Sequence, residues 1–380
     1  MKAMVYQGER NIEIAEIAKP EPGPGEVLLK TAYVGVCFSD VHAYMANEWS
    51  YFSPGTILGH EGSGVIDAIG PGVTGDWKIG DRVAVHPHAG CGECVMCRGG
   101  FPHDCQGSHI WFPQMGADYF IAPEKQLYKL PDNVSLLAGA AVEPIGVGTR
   151  AVRHSGMNVG DNVVILGADD YNISVLQWVK AGGAGKVAVV DPVKARRDLA
   201  QKFGADIVLD TGVPKQNVGT TMTNKQEDRH QAKIDSHPYP EIREAMPFGA
   251  DIVFLTIERY LPRSLDYLAE ALKIVRVGGM IAIVRAYYGE EGTPNFIGKD
   301  AWLKEVTIRH FGLFYADEPW RGGRPRGDYA LTIQAMADGI LDADGTCTKT
   351  VDWSDLNSKE DFEKMYALLP DQEAKVFIKF

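Results

Sequence analysis

Long apolar runs are missing from this chain. None approaches the roughly 18 residues a bilayer-crossing helix requires, so no membrane span is expected. Positive charge is scarce too: 38 Lys and Arg stand against 50 Asp and Glu, a net charge of -12. That balance argues against a nucleic-acid or anionic-membrane partner, either of which is held by clustered cations. The opening segment MKAMVYQGERNIEIAEIAKP lacks the continuous apolar stretch of a secretion signal; it alternates apolar with polar residues and reads as strand. No internal repeat is visible. A cytoplasmic globular protein with a small-molecule partner is expected, and 380 residues exceed what one core usually supports, so two domains are expected.

The two halves differ in rhythm. The first 130 or so residues carry short alternating runs such as GEVLLKTAYVGV and GSGVIDAIG, broken by Gly and Pro, the pattern of an all-β body. From about residue 150, strands NVVILG, KVAVVD, ADIVLD, ADIVFLTI and GGMIAIVRA alternate with helical stretches, which predicts βαβ units and a parallel sheet. The closing AKVFIKF alternates again and reads as a strand returning to the first sheet.

Cysteine is sparse, six residues in all, and unevenly placed. Cys91, Cys94, Cys97 and Cys105 lie in CGECVMCRGGFPHDC with the spacing C-x2-C-x2-C-x7-C, four thiolates able to close a tetrahedral shell around one structural zinc. An iron-sulfur cluster shares the first three positions but usually continues with a short gap and Cys-Pro. Cys347 stands alone in a polar loop and reads as an incidental thiol. Separately, GVCFSDVHAY and ILGHEGSGV supply Cys37, Ser39, Asp40, His42, His60 and Glu61. A thiolate, an imidazole and a carboxylate suit a second zinc with one position open, while a buried thiol beside an ordinary histidine is the plainer alternative.

The order GVCFSDVH, LGHEGSGVIDAIG, GDRVAV, the four-cysteine lobe, AAVEPIGVGTRAV and a βαβ domain resembles the zinc-dependent medium-chain alcohol dehydrogenases over essentially the whole chain. The sorbitol and threonine dehydrogenase branch is most similar, because Glu143 of VEPIGVG stands where liver-type enzymes have cysteine. The resemblance implies an α/β plus β fold: a GroES-like catalytic domain over residues 1–144, completed by 313–380, and a Rossmann dinucleotide-binding domain over 145–312, with the active site in the cleft between them. It implies two zinc ions per subunit, NAD, and a homodimer or homotetramer. Cys37 and His60 then ligate the catalytic zinc, Glu143 does so directly or through water, and Glu61 approaches or exchanges at the metal. Ser39 takes the substrate proton and His42 passes it outward. Asp40 either orients a metal-bound imidazole or is a turn residue with a local hydrogen bond.

On the cofactor side, Asp191 ends KVAVVD, where a carboxylate accepts both adenine-ribose hydroxyls and disfavours a 2'-phosphate. Arg196 is expected beside the adenosine, Arg197 in solvent, and Thr256 among the cofactor contacts. The strand-to-helix turn is unusual. Where the family reads Gly-Ala-Gly-Pro-Ile-Gly, this chain has Gly167, Ala168, Asp169, Asp170, Tyr171 and Asn172. Two carboxylates facing a diphosphate repel it unless they point away. Three readings stand: a displaced turn with Asp169 or Asp170 as N-cap, weak NAD binding, or a scaffold turned to other chemistry. Phe38 and Arg285 also depart from the usual glycines; Arg285 either compensates charge or contacts an anionic substrate, or is a solvated strand end. Arg321, Arg324 and Arg326 attract an anion or form a plain surface loop.

Trp49, Tyr51, Phe52, Trp111 and Phe112 are candidates for an aromatic substrate rim, Trp49 and Trp111 first, against the alternative of packing within the β body. The expected activity is zinc-dependent, NAD-linked oxidation of a secondary alcohol (cyclic, aromatic or polyol-like) to a ketone, or the reverse. The alternative is a zinc-dependent elimination or hydration with altered or tightly bound NAD.

Overall fold

The computed structural model describes residues 1–8, 10–46, 53–88, 90–99, 105–107, 114–211, 237–258, 266–287, 304–311 and 327–380. The chain divides into two compact units, one of Met1–Thr149, Leu313–Leu369 and Glu373–Phe380, the other of Arg150–Gly312 and Pro370–Gln372. Among the described residues no helix is long and apolar enough to cross a membrane.

The first unit holds β1 (Lys2–Gly8), β2 (Asn11–Glu16), β3 (Glu26–Gly35), β4 (Glu61–Ile69), β5 (Arg82–Val85), β6 (Tyr119–Pro123) and β7 (Leu127–Lys129). The second holds β8 (Val163–Leu166), β9 (Val187–Val190), β10 (Ile207–Leu209), β11 (Ala250–Glu258), β12 (Val275–Tyr287) and β13 (Thr307–His310). The chain then returns to the first unit with β14 (Lys349–Asp352) and β15 (Val376–Lys379). Five helices matter below: α1 (Phe38–Ala46), α2 (Val95–Arg98), α3 (Leu136–Ser155), α4 (Asp170–Ala181) and α5 (Lys194–Lys202).

In the first unit β1 and β2 form a hairpin, and a seven-stranded sheet runs β14-β15-β3-β4-β5-β7 with β6 also on β3. β3 carries this sheet: its Val27, Leu29 and Val34 pack with Ile66, Val83, Val85 and Phe120 in one buried cluster. Each such side chain contributes roughly 1.5–3 kcal/mol by leaving water. β15 runs antiparallel to β3, Phe377 opposite Gly35, so the chain's last strand lies beside the end of β3 that feeds Cys37.

The second unit is a six-stranded sheet in the order β10-β9-β8-β11-β12-β13, the doubly wound dinucleotide-binding order, with β8 as its first strand. The described pairings within it are all parallel. VVIL of β8 and VAVV of β9 are buried throughout; a strand buried on both faces reads as a continuous apolar run, not an alternating one. α4 follows β8 directly, capped at its start by Asp169 and stopping at Gly182.

One backbone feature presents the residues of interest in the first unit. Gly59 has φ +93, and a Cβ there would stand 2.7 Å from Val34 Cγ1 and 3.2 Å from the Gly116 amide. Only glycine allows both this conformation and this approach, and the turn delivers His60 and Glu61 to the start of β4. Gly59→Ala is expected to cost about 1–3 kcal/mol of stability, read as a lower denaturant midpoint with an unchanged m-value.

Candidate active site

Cys37, His60 and Glu61 come from two segments, the turn into α1 and the start of β4. One donor atom from each lies within 4.8 Å of the others, and all three residues are buried. Such a set, thiolate, imidazole and carboxylate, is what a zinc ion with an open position takes. Glu143, buried in α3, is not part of that set. The Ser39 hydroxyl beside Cys37 is buried without a hydrogen-bond partner among the described residues, and the Ser39 amide donates to Cys37 Sγ at 3.4 Å. His42, one turn further along α1, is also buried.

Asp40 ties the two segments together. Its Oδ2 accepts the Cys37 amide at 3.1 Å, and its Oδ1 lies 3.9 Å from His60 Nδ1. The local turn bond is therefore present, and the His60 ring lies near the carboxylate without a hydrogen bond to it. Burial pushes its carboxyl up, opposed by the nearby His60.

Two residues that the sequence did not single out stand at this site. Lys375, just before β15 and 1% exposed, places Nζ 2.5 Å from Glu61 Oε2 and donates to the Val36 carbonyl at 3.2 Å. Gly35, opposite Glu61 in the β3–β4 register, has no side chain because the Glu61 carboxylate fills that space. Tyr329 packs its ring 3.6 Å from the position of a Cβ on Gly146, one helical turn from Glu143. Its ring also meets His86 at 4.3 Å between centroids. Burial, then the Glu143 charge, raises its phenol well above the ordinary tyrosine range, and its hydroxyl has no hydrogen-bond partner among the described residues. An isolated lysine before a strand or a tyrosine opening a helix carries no motif, so spacing had no means to reveal either.

The four-cysteine lobe is local. Cys91, Cys94, Cys97 and Cys105 bring their sulfurs within 4.8 Å of one another, with Cys91–Cys97 and Cys94–Cys105 each 3.9 Å apart. A tetrahedron with Zn–S of about 2.3 Å has edges of about 3.8 Å, so the set fits one ion and leaves no room for an iron-sulfur cluster. Backbone N–H groups aim at the sulfurs: the Cys97 amide donates to Cys94 Sγ, and these bonds hold the Cys94 thiol down to about 6. Cys94 is at the same time the N-cap of α2.

In the second unit, the turn after β8 keeps Gly167 at φ +85, with Tyr267 too close to admit a larger residue cheaply. Asp169 is fully buried. Its Oδ1 accepts the Asn172 amide at 3.0 Å and its Oδ2 accepts the Thr256 hydroxyl at 3.0 Å. Asn172 Nδ2 donates to the Gly167 carbonyl at 2.6 Å and to Thr256 Oγ1 at 3.0 Å. Asp170 Oδ1 accepts the Tyr171 amide at 3.1 Å. Arg285 in β12 is buried, not solvated: Nη1 lies 3.5 Å from Asp169 Oδ2, Nη2 3.4 Å from Asp170 Oδ1, and the guanidinium sits 3.8 Å from the Tyr171 ring centroid. Burial lifts the Asp169 carboxyl to about 6 against the pull of Arg285.

Asp191 accepts the Ala168 amide through Oδ2 and the Val193 amide through Oδ1, each at 2.7 Å. Arg196, 1% exposed, lies 3.9 Å from it. Arg197, expected in solvent, instead donates to the Asp191 and Pro192 carbonyls and pairs with Asp210 at 2.9 Å. Phe38 is buried at the start of α1. Trp49, Tyr51, Phe52, Trp111, Phe112, Arg321, Arg324 and Arg326 lie outside the described residues.

Known proteins share the chain's sequence motifs and fold. Residues 23–132 match the family described as "Alcohol dehydrogenase GroES-like domain" and residues 173–323 the one described as "Zinc-binding dehydrogenase". An uncharacterised zinc-type alcohol dehydrogenase-like protein of Escherichia coli is 32% identical over 360 residues, 92% of this chain and 90% of that protein. The L-threonine 3-dehydrogenase of Pyrococcus furiosus is 37% identical over 211 residues, 54% of this chain; the chain spans only 60% of that relative's length. Among solved structures, an Escherichia coli oxidoreductase/dehydrogenase of unknown specificity superposes with TM-score 0.78 at 28% identity, covering 100% of this chain and 98% of that one. The fold is thus a GroES-like domain joined to a Rossmann-type parallel sheet.

The buried Lys375–Glu61 pair generates a test of its own. Removing one partner of such a pair strands the other charge, so Lys375→Met is expected to cost about 3–5 kcal/mol of stability. The Lys375→Met/Glu61→Gln double variant should recover most of that loss in chemical denaturation. A single-variant loss below about 1 kcal/mol would contradict the assignment.

Proposed function

We propose that this chain, which belongs to the zinc-dependent medium-chain alcohol dehydrogenase family, interconverts a secondary alcohol and a ketone with a nicotinamide dinucleotide. The observation that carries this reading is the convergence of Cys37, His60 and Glu61 within 4.8 Å, with the buried Ser39 hydroxyl alongside. Cys37, His60 and either Glu61 or Glu143 would hold a zinc ion there, which would supply Lewis acidity toward an alcohol hydroxyl, and a nicotinamide would supply the hydride acceptor or donor. Ser39 Oγ takes the hydroxyl proton and His42 hands it toward solvent. Asp40 keeps the Cys37 turn and the His60 ring in register, and Lys375 holds Glu61 in place within the metal set.

In the same reading residues 1–144 and 313–380 carry the metal chemistry and 145–312 the nucleotide. Asp191, closing the second strand of the sheet, favours NAD over NADP; Gly167, Ala168, Asp170, Tyr171, Asn172, Arg196, Thr256 and Arg285 surround the nucleotide. Cys91, Cys94, Cys97 and Cys105 hold a structural zinc. A cyclic, aromatic or polyol-like substrate against Trp49 and Trp111, and a cytoplasmic homodimer or homotetramer, complete the proposal. A redox-neutral reaction is less favoured, because the family models that the chain matches are those of dehydrogenases.

Cys37→Ser is expected to remove at least about 99% of dinucleotide-linked alcohol turnover, followed at 340 nm over a panel of secondary alcohols, while far-ultraviolet dichroism stays unchanged. Metal analysis should fall from two zinc ions per chain toward one. Substantial turnover retained by the variant would refute the assignment.

A further inference from the structure

A diphosphate at a helix N-terminus is held by free backbone amides and a favourable dipole. In α4 those amides already face carboxylates of the chain itself. The Asn172 amide donates to Asp169 and the Tyr171 amide to Asp170. The two acids differ in place: Asp169 caps α4 and Asp170 opens its first turn. Asp169 has two further ties, the Thr256 hydroxyl and the guanidinium of Arg285, and is 0% exposed. Asp170, 5% exposed, accepts the neighbouring Tyr171 amide at 3.1 Å and faces Arg285 at 3.4 Å.

Arg285 is the cation at this turn, and its two carboxylate distances, 3.5 and 3.4 Å, exceed the roughly 2.7–2.9 Å of a good charge-assisted bond. Its guanidinium is oriented by the Tyr171 ring at 3.8 Å. One guanidinium between two carboxylates leaves an excess negative charge where an anionic cofactor must approach. Arg196 and Asp191, the other charged pair near this turn, are engaged with each other at 3.9 Å.

We propose that Asp170 is a built-in competitor of the dinucleotide's diphosphate, and that Arg285 exchanges Asp170 for the diphosphate when the cofactor binds. Asp169 stays as the structural cap of α4. Asp170 thereby weakens dinucleotide affinity and Arg285 secures it. This rests on the dehydrogenase reading above and names the residues that set its cofactor affinity.

Binding of NADH, ADP-ribose and adenosine to the zinc-loaded full chain, measured by calorimetry, tests it. Asp170→Asn, which keeps shape and an acceptor oxygen, is expected to tighten NADH and ADP-ribose by about tenfold and leave adenosine unchanged, since adenosine carries no diphosphate. Arg285→Gln should weaken NADH by about tenfold or more, and Asp170→Asn should gain less in that background. If Arg285→Gln does not fold, the three-ligand comparison in Asp170→Asn decides alone. An unchanged NADH affinity in Asp170→Asn, an equal shift for adenosine, or tighter NADH binding by folded Arg285→Gln overturns the proposal while the dehydrogenase reading stands. If neither the wild-type chain nor Asp170→Asn binds any dinucleotide, both fail together.

Discussion

A charge taken out of water must be met by an opposite charge or by several hydrogen bonds, or it will not stay charged. In the first unit that constraint falls on Lys375 and Glu61, which are 1% and 0% exposed. Their contact at 2.5 Å, with the Lys375 bond to the Val36 carbonyl, binds the last strand of the chain to the segment just before Cys37. The sheet that carries the metal set therefore depends on a residue from the far end of the polypeptide. The ammonium meets Glu61 through Oε2 alone, which leaves Oε1 able to act toward a metal.

The second unit meets the same constraint with different parts. Asp169, Asp170 and Arg285 are all buried around the turn after β8, and the acids take the hydrogen bonds that a glycine-rich turn would leave open to a ligand. Thr256 and Asn172 complete the closure from the strand and the helix. The first amides of α4 are thus engaged by the turn's own carboxylates. A ligand at this turn must compete with the hydrogen bonds that Asp169 and Asp170 already make to its amides.

Much of this was legible in the residues. The four cysteines span so short a stretch that their spacing already defines a closed shell. The alternating and continuous apolar runs marked the strands, because periodicity reports burial directly. Cys37, His60 and Glu61 were nameable from their motifs. The substitution of Asp169 and Asn172 was equally visible, but its meaning was not: an acid in a phosphate turn repels a ligand if it faces out and caps a helix if it faces in. Arg285 and Arg197 were open to a solvated reading, which burial displaces for Arg285 and pairing with Asp210 displaces for Arg197.

By itself the sequence determined the family, the strand and helix rhythm and the local metal lobe, since each depends on residues close together in the chain or on periodic burial. Tertiary structure alone decided which charges meet. Val36 and Lys375 are 339 residues apart, and Asp170 and Arg285 are 115 apart; no spacing rule links such positions. Their pairing follows from strand order, β15 against β3 and β12 beside β11, and from the low dielectric of the interior, where an ion without a partner is costly and the fold must supply one.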